Sequence, residues 1–381
     1  MISVGIRGAG VAGLSFAQAL IQHIPGVAVS VFDRRPRLPH PTRTFGVFRN
    51  SLSPDSKLVS HQWQRVLLRG ANFDRTFSCA HSPYSLVRGD TFFSHALSQL
   101  EAAGATLHWQ CNTVDINGNT IKAHSTTHRF DLVVDAAFDP ACCQATLWQS
   151  FAGYWVQAEQ PTFDPSSAVL MDLDVPSSED PVRFIYLLPT SPTTALIEHT
   201  TFSLEPRLEQ HHLEQCSLWI ERRGYRKLQI TDTEYGRIPM GLRSTTRNLS
   251  GELAIGSHAG CLRASTGYAF QATQSQSDTL ALQIAQSLKR GGTPPRSSPS
   301  PLPAWMRLCD SLFVRALAQA PADGQHIMST LLRNVPESDF IPFIAGTASP
   351  SQAMRVMMRV PAWTMLRALI GRSARGSRCL L

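Results

Sequence analysis

No run in this sequence approaches the ~18 consecutive apolar residues that a membrane-spanning helix requires, so the chain is not expected to cross a bilayer. Its eight cysteines show no CxxC or other zinc-type spacing, and Cys142 and Cys143 are adjacent, which suits neither a metal pair nor an ordinary disulfide. Reduced thiols, a cytoplasmic setting and no metal centre are therefore expected. The apolar opening residues lack the basic segment of a secretory signal and carry spaced glycines, which argues against a signal peptide. Cys379 lies one place too late for a prenylation box. There is no internal repeat. Adjacent His211 and His212 are expected on different sides of a helix, solvated rather than metal-binding.

Acidic residues are absent after Asp339, whereas Arg355, Arg359, Arg367, Arg372, Arg375 and Arg378 follow. These six account for most of the net charge of +7, so the body is nearly neutral and a broad nucleic-acid-binding face is excluded. The same tail carries Met354, Met357, Met358, Val360, Trp363, Met365, Leu366, Leu369 and Ile370. That alternation suits an interfacial helix on an anionic membrane, and equally a helix packed on the body with its arginines in water. No oligomeric state is specified.

What the chain does contain is 381 residues with 43% hydrophobic content, enough for two domains or one large domain with an insertion. The segment Arg183 to Ser203 reads as two strands, Phe184 to Leu188 and Thr194 to Phe202, joined by a turn at Pro189, Ser191 and Pro192. It places a carboxylate, Glu198, directly after Ala195, Leu196 and Ile197. Desolvation by such neighbours would raise its pKa and favour a proton donor near neutral pH. Local residues alone favour the alternative in which Glu198 simply faces water on an edge strand.

Ile2 to Ile6 reads as a strand that leads into Gly8, Gly10 and Gly13 and then an apolar helical pattern from Leu14 to Ile24. The glycines permit a tight turn, approach of the backbone to a pyrophosphate, and close helix–strand packing, with the helix N-terminus supplying positive potential. Val27 to Phe32 reads as a second strand, closed by Asp33 about twenty places after Gly13, where a carboxylate can accept from ribose hydroxyls. Phe130 to Val134 with Asp135 reads as another parallel strand whose polar end lines such a crevice. Leu253 to Gly256, a small polar loop and a helix from Gly267 to Leu288 would reach the other half of an extended cofactor. Together these features favour FAD over NAD.

The frame thus comes in two pieces, residues 1–150 and 251–290. Between them, residues 151–250 form a β-rich substrate domain with strands near 151–158, 167–175, 182–188, 194–202 and 228–239 and a helix near 205–222. Residues 291–303 read as a Pro/Ser/Gly-rich linker and 304–381 as a helical region.

These motifs resemble one family over nearly the whole chain, the FAD-dependent lycopene cyclases of carotenoid biosynthesis, of the bacterial single-polypeptide type. The resemblance rests on Gly8, Gly10, Gly13 and Asp33; Thr44 and Phe45; Gln149, Phe151 and Gly153; Met171 and Asp172; and RFIYLLPTSPTTALIEHTTFS. It extends to Glu234, Gly236, Ile238, Pro239 and Met240, and to Ser265, Thr266, Gly267 and Tyr268. It implies a mixed α/β fold of the p-hydroxybenzoate hydroxylase type holding FAD, with Gly256, Thr266, Gly267 and Tyr268 also at the cofactor. It implies a reaction without net redox change: a proton adds to the terminal double bond of a linear polyene, the cation is attacked by an internal double bond, and loss of a ring proton gives a β-ionone ring. Glu198 matches the family's essential acid. Reduced flavin would be the active form, with NAD(P)H as a reductant that is not consumed stoichiometrically. Tyr154, Trp155, Asp172, Phe184 and Tyr186 are expected at the substrate pocket, the aromatics lining it or steadying a cation.

The chain departs from the family where His199 replaces an Asp after the essential Glu and Trp155 replaces a Glu in FxGxE. Ala136, Ala137 and Phe138 replace a glycine-rich turn, and Ala264 replaces a proline. A neutral His199 could orient Glu198, whereas a protonated one would oppose acid function. The expected function is a divergent cyclase acting on a long hydrophobic polyene or isoprenoid. Its rivals are an FAD-dependent monooxygenase, which would add oxygen and consume NAD(P)H, and a non-catalytic flavin-binding protein on a membrane.

Overall fold

The computed structural model describes residues 2–37, 43–49, 56–111, 114–140, 143–175, 180–245 and 253–361. The strand Ser3–Arg7, buried from Val4 onward, lies at the centre of a five-stranded parallel sheet. Its neighbours are Leu132–Asp135 on one side and Ala28–Phe32 on the other, with Leu253–Ala254 and Thr106–His108 at the edges. Helices Val11–His23 and Phe270–Lys289 pack against each other on this sheet, burying Leu14, Phe16, Leu20, Leu280 and Ile284. Parallel strands joined through helices require both faces covered, which explains why these strands read as continuous apolar runs.

A seven-stranded sheet runs in the order Leu228–Thr245, Cys143–Ala158, Thr194–Ser203, Val182–Pro189, Ser167–Asp172, Arg65–Gly70 and Phe73–Ser78. Its last two strands come from the N-terminal part of the chain. The turn at residues 189–194 is closed by Ser191, whose hydroxyl accepts the N–H groups of Thr193 and Thr194 at 3.1 and 2.9 Å. One face of the sheet is covered by helix Glu209–Arg222, which buries Cys216 and Trp219 against Ile185, Ala195 and Ile197. The other carries Leu196, Phe184 and Phe202 and is covered by helices Ala304–Gln319, Gly324–Asn334, Glu337–Ala345 and Pro350–Met357.

Between helices Phe270–Lys289 and Ala304–Gln319 the chain lies against the frame, with the Gln276 amide donating to the Pro299 carbonyl at 2.8 Å. Of the tail residues, Met354 and Met358 are exposed, Met357 is half-buried and Val360 is buried. Arg355 is engaged by Asp339 through two 2.7 Å hydrogen bonds. Trp363, Met365, Leu366, Leu369, Ile370 and the arginines from 367 onward lie outside the described residues. Among the described residues no helix is long and apolar enough to cross a membrane.

Candidate active site

A crevice of about 890 Å³ runs from Gly8, Gly10 and Asp33, past Thr266, Gly267 and Tyr268, to Glu198, Glu234 and Tyr186. At the glycine end, Gly13 sits so close to the first strand that a Cβ there would collide with the Gly8 carbonyl. Only glycine lets helix and strand approach this far. Gly10, directly before the helix, is open: a Cβ would meet nothing nearer than Arg35 Nη2 at 3.8 Å. That space faces the unpaired N–H groups of a helix N-terminus, the environment a pyrophosphate occupies. On this observation the residues fit a dinucleotide.

Asp33 is buried and already engaged. Its oxygens accept from Ala9 N–H at 2.6 Å, Arg35 N–H at 2.7 Å, Arg35 Nε at 3.0 Å and Arg35 Nη2 at 2.9 Å. Burial alone would raise its pKa, but the Arg35 hydrogen bonds and charge outweigh this and hold it below the usual carboxylate range. Ribose hydroxyls would therefore compete with Arg35. Asp135 does not line the crevice; it is fully buried behind it, paired through both oxygens with Arg7. Gly256 lies beside Ala12 at the start of the first helix. The Thr266–Tyr268 loop is tied to the C-terminal helices by Arg263, which pairs with buried Asp310 at 2.9 Å, while Ser265 donates to the same carboxylate at 2.7 Å.

At the other end, Glu198 lies on an interior strand, not an edge, and is only 9% exposed. It stands opposite Tyr186 on one neighbouring strand and Gly153 on the other, and Gly153 in turn stands opposite Glu234. Side chains paired across a sheet share a face, so the two carboxyls meet over the bare Gly153 and hydrogen-bond to each other. A Cβ on Gly153 would lie 2.8 Å from Glu198 Cβ. Burial, followed by the charge and hydrogen bond of Glu234, pushes the Glu198 pKa well above the carboxylate range. Burial also raises Glu234, which is countered by Thr44, whose backbone N–H donates to it at 2.9 Å, and by the Glu198 hydrogen bond. Both shifts are upward, and the stronger one is at Glu198, so Glu198 is the member of the pair that holds a proton more tightly and Glu234 the one whose anion is better supported. Glu234 carried a motif in the sequence without being singled out as a site residue; the missing signal was its register opposite a glycine.

Tyr186 hydrogen-bonds Tyr268, which bonds Tyr84, and burial first of all raises all three phenols. Phe184, Tyr186, Thr266 and Tyr268 also line an adjoining apolar chamber beneath the C-terminal helices, with Phe202, Met328 and Phe340.

Other expected site residues lie elsewhere. His199 alternates to the opposite face, where its Nδ1 meets His212 Nδ1 at 3.0 Å, so it cannot orient Glu198. His212 is fully buried rather than solvated. Tyr154 packs with Val156 and Ile197 on that same reverse face. Asp172 is fully buried and paired with Arg223 at the end of helix Glu209–Arg222. Trp155 is on the Glu198 face but in the core, with the Arg88 guanidinium 5.1 Å from its ring centroid.

Burial holds His199 at about 2 and His212 at about 3, against an ordinary 6.5, with neighbouring histidines adding to the shift. The folded state keeps both neutral, whereas the unfolded chain takes up protons below pH ~6.5. Stability is therefore expected to fall as pH drops below that point. Thermal unfolding of His199→Asn should show a flatter acid decline than the parent, with product formation intact.

The five-stranded parallel sheet, the large second sheet and the helical C-terminus define the p-hydroxybenzoate hydroxylase type of fold found in FAD-dependent oxidoreductases. The chain resembles the solved geranylgeranyl bacteriochlorophyll reductase-like protein of Thermoplasma acidophilum, with a TM-score of 0.61 and 14% identity over 98% of this chain and 96% of that one. It also resembles CtdE in complex with FAD and substrate, with a TM-score of 0.57 and 12% identity over 98% of both chains. The family model for lycopene cyclase protein matches residues 4–370, so the chain belongs to the lycopene cyclase family. The lycopene beta-cyclase of Pseudescherichia vulneris is 25% identical over 299 residues, 75% of this chain and 74% of that one.

Proposed function

We propose that this protein is a flavin-dependent cyclase that closes a β-ionone-type ring at the end of a linear polyene such as lycopene, with Glu198 as the acid and no net redox change. The observation that carries this reading is a buried Glu198, its pKa raised, lining the nucleotide crevice opposite Tyr186, a residue that also lines the apolar chamber. Protonating an alkene needs a dry acid, and the resulting cation needs surroundings that exclude water while presenting negative charge or π density. The apolar chamber suits a hydrocarbon end group, and Tyr186 and Phe184, their ring centroids 5.2 Å apart, offer π faces beside the acid. Gly8, Gly10, Gly13, Asp33, Gly256, Thr266, Gly267 and Tyr268 would hold the FAD. Reduced FAD, formed with NAD(P)H or another donor, would supply further negative charge to the site when bound. Production of the chain in bacteria that accumulate lycopene tests the proposal. New pigments carrying one or two rings are expected; unchanged lycopene beside abundant FAD-loaded protein would rule out lycopene as the substrate.

A further inference from the structure

We propose that Glu198 and Glu234 act as one carboxyl–carboxylate pair sharing a single proton, with Glu234 the positioning residue that keeps Glu198 charged with its proton and ready to recover it. The inference rests on the cyclase reading for its chemistry and on geometry for the pair itself. Glu198 and Glu234 sit on strands either side of Cys143–Ala158, each in register with Gly153. Two strand spacings separate their backbones by roughly 10 Å, a gap that two glutamate side chains close only if the position between them is bare. Glycine meets that condition. The pair is also asymmetric. Glu234 receives the Thr44 backbone N–H, a donor that cannot turn around and accept, so that end of the pair favours the anion. Among the described residues Glu198 receives, besides its partner, the Thr200 hydroxyl at 3.2 Å, so the proton resides there.

The groups facing the pair support one proton rather than none or two. Arg43, which lines the crevice, favours a negative charge at Glu198, and Arg88, itself paired with Asp90, favours one at Glu234. Tyr84, Tyr186 and Tyr268 stay neutral, and Cys216, behind the sheet, is a buried thiol. In the reaction, the Glu198 O–H bond breaks as its proton forms a C–H bond on the terminal alkene carbon. The pair is then a dianion beside a carbocation, at a site where low dielectric strengthens their attraction. Loss of the ring proton to Glu198 restores the starting state, so proton and charge balance over one turnover. The second carboxylate makes Glu198 a weaker acid in isolation, yet it favours the charge-separated state and the return of the proton.

Infrared titration of the FAD-loaded protein in water and deuterium oxide reads the carboxyls without turnover. A protonated-carboxyl band is expected to persist above pH 7, to vanish in Glu198→Gln, and to show two separated steps in the parent, as coupled acids do. In Glu234→Gln the midpoint of the Glu198 band, and the alkaline limit of turnover, should move down by about one to two pH units. Glu234→Asp, which keeps the charge, should move them less. A band with one independent step in the parent, or an unmoved midpoint in Glu234→Gln, would overturn the shared proton. If the amide variant does not fold, the parent titration decides alone. A failed pigment assay with this titration intact would instead rule out lycopene as the substrate and leave the pair standing.

Discussion

Glu198→Gln is expected to abolish ring formation, lowering turnover by at least the ~10²–10⁴-fold typical of a removed general acid, while flavin content and melting temperature stay near those of the parent. The amide has nearly the same shape and can still hydrogen-bond Glu234 across Gly153, so the sheet has no reason to rearrange. What it lacks is an acidic proton. Because burial and Glu234 push the Glu198 pKa well above the carboxylate range, the parent should lose activity as pH rises through that elevated pKa, not as pH falls through the ordinary carboxylate range. Chromatography of pigments together with the flavin absorbance of the purified protein checks both halves. Full activity in a flavin-loaded Glu198→Gln protein would remove Glu198 from the chemistry.

The second large effect is at the glycine turn, where two substitutions separate folding from cofactor retention. Gly13→Val should be severely damaging, because even its Cβ collides with the Gly8 carbonyl and neither backbone segment can move without opening the parallel sheet. Loss of soluble, flavin-bearing protein is expected. Gly10→Ala introduces a Cβ into open space, with Arg35 Nη2 at 3.8 Å as its nearest neighbour, so the unliganded fold should melt as the parent does. If pyrophosphate fills that space, Gly10→Ala should still purify with markedly less flavin. Retention of FAD at the parental level would place the phosphates elsewhere.

The fold of the parallel-sheet half was legible because its determinants are local: strand, glycine turn, helix and Asp33 follow one another in the chain. The hairpin around Pro189 was legible for the same reason. Strand periodicity also decides which neighbours of Glu198 share its face. Residues of successive number face opposite ways, so His199 could not share a face with Glu198, nor Tyr154 with Gly153. By the same alternation, of the two acids this chain lacks relative to its resemblance, only the one replaced by Trp155 would lie on the Glu198 face. Pairings over long sequence distances were not legible. Asp135 meets Arg7 across 128 positions and Asp172 meets Arg223 across 51, and both partnerships turn expected site acids into buried structural ones. Glu234 reaches Glu198 only through the register of three strands. Arg35, two residues from Asp33, was close enough to be read but its occupation of that carboxylate depends on side-chain conformation.

The central claim is that this flavin-binding fold performs a proton-driven ring closure and not an oxidation. The fold alone also serves oxygen-inserting enzymes, so product mass is the decisive quantity. Purified FAD-loaded protein, reduced and supplied with lycopene in deuterium oxide, should yield a cyclised product whose mass exceeds that of its substrate by no more than one deuterium per ring formed, with no stoichiometric loss of NAD(P)H. A product heavier by an oxygen atom, formed in step with NAD(P)H consumption, would contradict it.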